Sequence, residues 1–276
     1  MSNRTGNNGK KSLTRHTVND FLSHIVADKR AELEKRRTSL AEIKNRAAAG
    51  PSPHDFAAAL NDPDKLPVIA EIKHKSPSKG VLRADFNPQA LAESYVAAGA
   101  ACLSVLSDTL YFGGADEHLA QARKAGAPIL RKDFMLEEWQ IYESRALGAD
   151  AVLLIAALLS DIQMQKMAAT ATALDMAVLV EAHNEEELKA ALNLSDSLIG
   201  INNRNLHTFQ TTLQTTLELL PLAKTANRTL ISESGIKTAA DVQLLQKAGV
   251  YAFLIGEACM RAENPGAALK DLFIQT

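Results

Sequence analysis

Along the chain, short apolar runs alternate with segments whose apolar residues recur every three to four positions. The runs are "PVIAEIK" from Pro67, "ACLSVLS" from Ala101, "PILRKD" from Pro128 and "AVLLIAA" from Ala151. They continue with "AVLVEA" from Ala177, "LIGINN" from Leu198, "TLISESG" from Thr229 and "AFLIGE" from Ala252. Short runs rich in Val, Ile and Leu predict buried strands. The segments between them, such as "NPQALAESYVAAG", "EEWQIYESRALG" and "TAADVQLLQKAG", carry the helical period. Gly99, Gly126, Gly148 and Gly249 each close such a segment just before the next run. A helix C-terminus needs left-handed backbone at that point. Strands alternating with helices give βαβ units and a parallel sheet. Eight units in about 210 residues predict a closed (β/α)8 TIM barrel, an α/β fold. An open doubly wound sheet is the alternative. No G-x-G-x-x-G follows the first run, which weakens its dinucleotide-binding form.

Before the barrel the pattern changes. Residues 1–16 are polar, Gly/Asn-rich and without period, and are predicted disordered. From Val18 to Ala49 the apolar residues (Phe21, Leu22, Ile25, Val26, Leu33, Leu40, Ile43) keep helical spacing, which predicts a helix stopped by "GPSP" at Gly50–Pro53. "HDFAAALN" predicts a short second helix. The expected organisation is a tail over 1–16 and a single barrel domain over 17–276 that includes a helical extension, 17–66.

Composition narrows the partners. The 276 residues carry a net charge of −2, which gives no pull toward nucleic acid. The charge is uneven: +6 over residues 1–50 and −8 over the rest. The basic run "KRAELEKRR", Lys29–Arg37, is expected to be a solvated helix face. The longest apolar run, Ala151–Leu159, is far short of the roughly 20 residues that cross a bilayer. The start of the sequence has no apolar secretory segment. Cys102 and Cys259 cannot make a disulfide framework and are read as buried reduced thiols. The expectation is a cytoplasmic protein with a small-molecule partner, no nucleic acid and no membrane.

Strand geometry then selects candidate chemistry. Alternate residues of a barrel strand point inward. In the first strand Ile69, Glu71 and Lys73 share the inner face, with the charges at the C-terminal end where catalytic groups of such barrels gather. Buried charges are costly unless paired, so a charge network is expected. The pattern repeats: Leu130 with Lys132, Leu179 with Glu181, Gly200 with Asn202 and Arg204, and Ile231 with Glu233. Five strands thus deliver polar groups to one mouth. After the last two strands, "ESG" and "IGE" put Ser234, Gly235 and Gly256 at tight turns into helices, the usual phosphate cradle of these barrels. The seven His show no metal-ligand spacing, so no metal site is expected.

"EIKHKSPSKG", "SVLSD", "ILRKDF", "LVEAH", "INNRNL", "SESGI" and "LIGEACM" occur in order at the predicted strand ends. Together they resemble the indole-3-glycerol-phosphate synthase family of tryptophan biosynthesis. "IVADKRAELEKR" resembles that family's N-terminal segment. The resemblance covers residues 18–276 and is to the monofunctional form. It implies conversion of 1-(2-carboxyphenylamino)-1-deoxyribulose 5-phosphate into indole-3-glycerol phosphate with loss of CO₂ and water, without metal or organic cofactor. Separately from the resemblance, a monomer is the working expectation. The implied catalytic set is Glu71, Lys73, Lys132, Glu181 and Asn202. Lys132 is the acid at the substrate ketone, Glu181 an acid/base for dehydration, Glu71 holds the lysines and Lys73 binds a substrate anion. Nearby cations are expected to lower the Lys132 pKa. Ser76, Arg204 and Glu233 are implied in substrate binding. Phe112, Phe134, Leu153, Ile155 and Leu206 are candidates for the slot that a flat ring needs. Ser234, Gly235, Gly256 and Glu257 form the implied phosphate loop. Ser107 stands where Thr is common, and Glu257 where some members have Ser, so the Glu257 side chain is not expected to touch phosphate. "KSPSKG" is expected to be a mobile cover hinged at Ser78 and Gly80. The alternatives are another phosphosugar-barrel isomerase or lyase, or a non-catalytic phosphometabolite-binding barrel.

Overall fold

The computed structural model describes residues 20–274 except 78, 207 and 226–227. The expected disordered tail lies outside the described residues. The extension is α1 (Asp20–Arg36), α2 (Leu40–Ala48) and α3 (Phe56–Leu60). A continuous helix to Ala49 was expected, and the structure breaks it at Arg37–Ser39. The cause is local: Ser39 takes an extended backbone and its hydroxyl accepts from Glu42 N, which starts a new helix.

The barrel begins with β1 (Leu66–Ile72), followed by a small hairpin of β2 (Lys75–Ser76) and β3 (Gly80–Val81). It continues through β4 (Ala100–Leu106), β5 (Ile129–Lys132), β6 (Ala151–Ile155), β7 (Ala177–Ala182), β8 (Leu198–Asn202), β9 (Leu230–Glu233) and β10 (Ala252–Ile255). The eight long strands pair in parallel and in sequence order, and β1 closes the ring on β10. Between them run α4 (Pro88–Ala97), α5 (Thr109–Phe112), α6 (Glu117–Arg123), α7 (Trp139–Ala146), α8 (Asp161–Thr172), α9 (Glu185–Leu192), α10 (Gln214–Thr225) and α11 (Ala239–Ala248). The short α12 (Glu257–Met260) and α13 (Pro265–Asp271) follow β10. Gly99, Gly126, Gly148 and Gly249 all have positive φ, as the helix-to-strand joins require.

Alternation along the strands sorts the core into two shells. Val68, Ala70, Ile72, Val152, Leu154, Val178 and Val180 pack outward against the helices. Ile69, Leu130, Leu153, Leu179, Ile231 and Leu254 fill the barrel. Phe56 and Leu60 of α3 join that inner cluster beside the strand starts, where the Cys102 thiol lies 3.5 Å from Phe56 O.

At the other end α1 crosses the mouth. The basic run is only partly solvated, contrary to expectation. Lys29 is buried with its ammonium 2.9 Å from Asp108 and 3.0 Å from Asp133, and Arg36 reaches Asp116 and Glu143. Asp133 also meets Arg131, a fully buried guanidinium that binds Glu143 at 2.9 Å. Burial disfavours the Asp133 carboxylate, but Arg131 and Lys29 outweigh it and lower the pKa from 3.8 to about 2. Its contribution to stability is present above 3.8 and is lost as pH falls through 2. Lys29→Met leaves Asp108 and Asp133 buried without their ammonium. The expected cost is about 3–5 kcal/mol in denaturant titration. Acid unfolding should also begin at higher pH than in the parent.

Candidate active site

A cavity of about 770 Å³ opens at the C-terminal mouth of the barrel. Its floor is the inward charge set. The Lys132 ammonium, at the end of β5, lies 3.1 Å from Glu181 Oε2 and 2.9 Å from Glu233 Oε2. Asn202 Nδ2 donates to Glu181 Oε1 at 3.0 Å, and Asn202 Oδ1 accepts from Arg204 N at 3.0 Å. Glu71 pairs with Lys73 two residues along β1.

Two glycines make room for these carboxylates. A Cβ on Gly200, beside Glu181 in register, would overlap Glu233 Oε1. A Cβ on Gly256 would overlap the Glu71 carboxylate. Side chains at either position would push a carboxylate out of its place.

The charges divide unequally. Burial opposes the Lys132 ammonium, yet Glu181, Glu233 and Glu71 outweigh it and hold its pKa above the lysine range. The expected lowering by nearby cations does not occur, because the groups nearest the ammonium are anions. Glu71 is held below the usual carboxylate range: burial pulls the other way, but Lys73 and Lys132 prevail. Glu181 is also held low by Lys132, His183 and Asn202 against burial. Glu233 shares the same ammonium but faces Glu181 and Glu71, and burial with that repulsion pushes its carboxyl up to about 7.

Above the floor are an apolar wall and a polar turn. Phe112 and Phe134 face each other with ring centroids 6.1 Å apart, and Leu153, Ile155 and Leu206 line the same side. Leu22 and Ile25 of α1 complete it. Opposite, Ser234 and Gly235 turn out of β9 with φ of 64° and 83°, next to Gly256 at the end of β10. Asn203 Nδ2 holds the turn by donating to Ser234 O at 3.0 Å.

A family model described as indole-3-glycerol phosphate synthase matches residues 22–272. The chain belongs to the indole-3-glycerol phosphate synthase family. It is 52% identical over 262 residues to the indole-3-glycerol phosphate synthase of Polaromonas sp., covering 93% of this chain and 99% of that one. It is 53% identical over 263 residues to that of Azoarcus sp., covering 93% and 100%. Among solved structures it resembles KGPDC from Streptococcus mutans, with 12% identity and a TM-score of 0.57 over 74% of this chain and 94% of that one. It also resembles 3-hexulose-6-phosphate synthase, with 18% identity and a TM-score of 0.57 over 75% and 97%. These two share the barrel fold.

Of the family residues named from sequence, Glu71, Lys73, Lys132, Glu181, Asn202, Arg204, Glu233, Ser234, Gly235, Gly256 and Glu257 all line this cavity, as do Phe112, Phe134, Leu153, Ile155 and Leu206. Ser76 is not on the wall but buried within the hairpin. The Glu257 side chain pairs with Arg204 at 3.1 Å. "KSPSKG" forms the β2–β3 hairpin, whose Pro77 and Lys79 border the cavity; the proposed hinge residue Ser78 lies outside the described residues. Leu22, Ile25, Asp108, Asp133 and Asn203 were not singled out. The apolar face of α1 and the "SVLSD", "ILRKDF" and "INNRNL" motifs carried them, but only the fold shows which way they point.

Glu233 is expected to titrate near pH 7 in the unliganded protein, seen as loss of a protonated-carboxyl infrared band on raising pH through 7. Glu233→Gln should remove that step. If the step survives the substitution, the proton belongs to another carboxyl.

Proposed function

We propose that this cavity closes the indole ring by passing protons through Lys132, Glu181 and Glu233. The observation that carries the reading is one ammonium between two carboxylates of unequal proton affinity, at 3.1 and 2.9 Å, on the floor of the apolar slot. The substrate's anthranilate ring lies in the slot between Phe112 and Phe134, and its phosphate on the Ser234, Gly235 and Gly256 turns. Lys73 and Arg204 neutralise the substrate carboxylate, exchanging their present partners Glu71 and Glu257 for it.

Ring carbon attacks the ketone carbon while Lys132 gives its proton to the ketone oxygen. A raised lysine pKa does not prevent this, because the alkoxide that would otherwise form is a stronger base than any amine. CO₂ leaves and its bonding electrons restore the aromatic ring. Glu233, which holds a proton near neutrality, reloads Lys132. The new hydroxyl leaves as water with a proton from Lys132, pushed by the ring nitrogen. Glu181, ionised until this step, takes the proton from the adjacent methylene carbon. Two protons are consumed and one is returned, which matches replacement of a carboxylate by CO₂.

Leu22 and Ile25 supply part of the slot, which supports treating extension and barrel as one domain. Among the described residues no helix is long and apolar enough to cross a membrane. The buried free thiols Cys102 and Cys259 support a cytoplasmic location.

Lys132→Ala is expected to lower kcat by about 10²–10⁴-fold with the far-ultraviolet circular dichroism unchanged. Activity within threefold of the parent removes Lys132 from the role of acid. Inorganic phosphate should inhibit competitively against the substrate. Ser234→Asp, which sets a negative charge on the turn, should weaken that inhibition together with substrate KM. Inhibition unaffected by this change would move the phosphate elsewhere.

A further inference from the structure

We propose that His183, backed by Glu187, is a positioning residue that keeps Glu181 ionised and so assigns the exchangeable proton of the carboxylate pair to Glu233. The inference rests on the reading of Glu181 as the base of the reaction.

The argument begins with a symmetry. Glu181 and Glu233 lie at nearly equal distances from Lys132, 3.1 and 2.9 Å, so the ammonium alone does not choose between them. Something else must break the tie. His183 follows Glu181 by two residues, and its ring, 9% exposed, brings Nε2 to 3.1 Å from Glu181 Oε1. The other nitrogen, Nδ1, lies 2.9 Å from Glu187 Oε2. Both neighbours are carboxylates: Nδ1 hydrogen-bonds Glu187, Nε2 meets Glu181 at ion-pair distance without hydrogen-bond alignment, and the charge that suits both is the imidazolium.

Glu187 is itself held firmly. It accepts from His183 N at 2.8 Å and from Asn184 Nδ2 at 2.6 Å, in the first turn of α9, where the helix dipole favours an anion. The ring therefore has a fixed plane and a fixed charge. The groups facing His183 are Glu181 and Glu187. Those facing Glu181 are Lys132 from β5, Asn202 from β8, Glu233 from β9 and His183, while Ile155 beside it on β6 is apolar. Glu233 is approached by Lys132, Glu181 and Glu71, and has no cation beyond Lys132 within ion-pair reach among the described residues. Glu181 thus has its share of Lys132 and the His183 imidazolium, while Glu233 has its share of Lys132 alone. Burial alone would keep the imidazole neutral; Glu181 and Glu187 reverse that and raise His183 to about 9, consistent with the geometry.

The test is the pH dependence of kcat and KM for the parent, His183→Gln, Glu187→Gln, Glu181→Gln and the Glu181→Gln/His183→Gln pair. His183→Gln should lower kcat by roughly tenfold or more with KM within about twofold, because a displaced base costs rate rather than binding. Its acid limb should move to higher pH, since removing a cation makes both carboxyls hold protons more tightly. Glu187→Gln should move the limb in the same direction by less, and it carries the test should His183→Gln fail to fold. In the Glu181→Gln background His183→Gln should cost nothing more. A parental pH profile in a folded His183→Gln variant, or an equal loss in both backgrounds, overturns the inference. Glu181→Gln at parental kcat instead removes Glu181 from the reaction, and the inference with it; an inactive Glu181→Gln beside a parental His183→Gln overturns the inference alone.

Discussion

Lys132, Glu181 and Glu233 meet inside the barrel with the ammonium 3.1 and 2.9 Å from the two carboxylates, and removing three such charges from water is affordable only as a set. Each neighbour has a structural consequence. Two carboxylates on one ammonium cannot both ionise freely, so one is driven low and the other high. The strands must bring these side chains within hydrogen-bond reach, which a closed barrel does by pointing alternate residues of β5, β7 and β9 at one axis. The interior must also be spacious at the right height. Gly200 and Gly256 supply that space, and any side chain there would displace Glu233 or Glu71.

The same economy governs the extension. Lys29 and Arg36 do not decorate α1. They enter a network with Asp108, Asp133, Asp116 and Glu143 that locks the helix across the mouth. That lock brings Leu22 and Ile25 over the slot, next to Phe134. Electrostatics thus builds an apolar surface: the ion pairs fix where the hydrophobic wall stands.

The barrel was legible because two periods suffice for it. Alternation in "PVIAEIK" and its seven counterparts puts the charges on the inner face, and terminal glycines mark the joins. The members of the charge set followed from the same count, as Glu71, Lys132, Glu181 and Glu233 each lie two residues beyond an inward apolar one. Pairing was not legible. Whether Lys132 meets cations or anions depends on strands β7 and β9, far away in sequence, and the expectation of a lowered pKa failed for that reason. The break at Arg37–Ser39 was missed because the apolar period runs through it while Ser39 caps the second helix. The burial of Lys29 was missed because a basic helical run reads the same whether its partner is water or an aspartate.

The Ser234–Gly235 turn shows how residues on the outer side of the barrel shape its mouth. Ser234 takes φ of 64°, a left-handed conformation that costs a non-glycine residue about 1 kcal/mol or more. The turn is held from behind. Asn203, buried on the helix side, donates to Ser234 O at 3.0 Å and to Ser232 Oγ at 2.9 Å. Its own Oδ1 accepts from Thr216 Oγ1 at 2.8 Å and Thr216 N at 3.1 Å, which ties it to α10. The strained turn is therefore over-determined by a buried, satisfied polar network anchored on the residue that follows β8. Asn202 points inward to orient Glu181, and its neighbour Asn203 points outward to shape the turn. One residue's step along the chain separates the charged floor from the turn, and the end of β8 keeps the two in fixed relation.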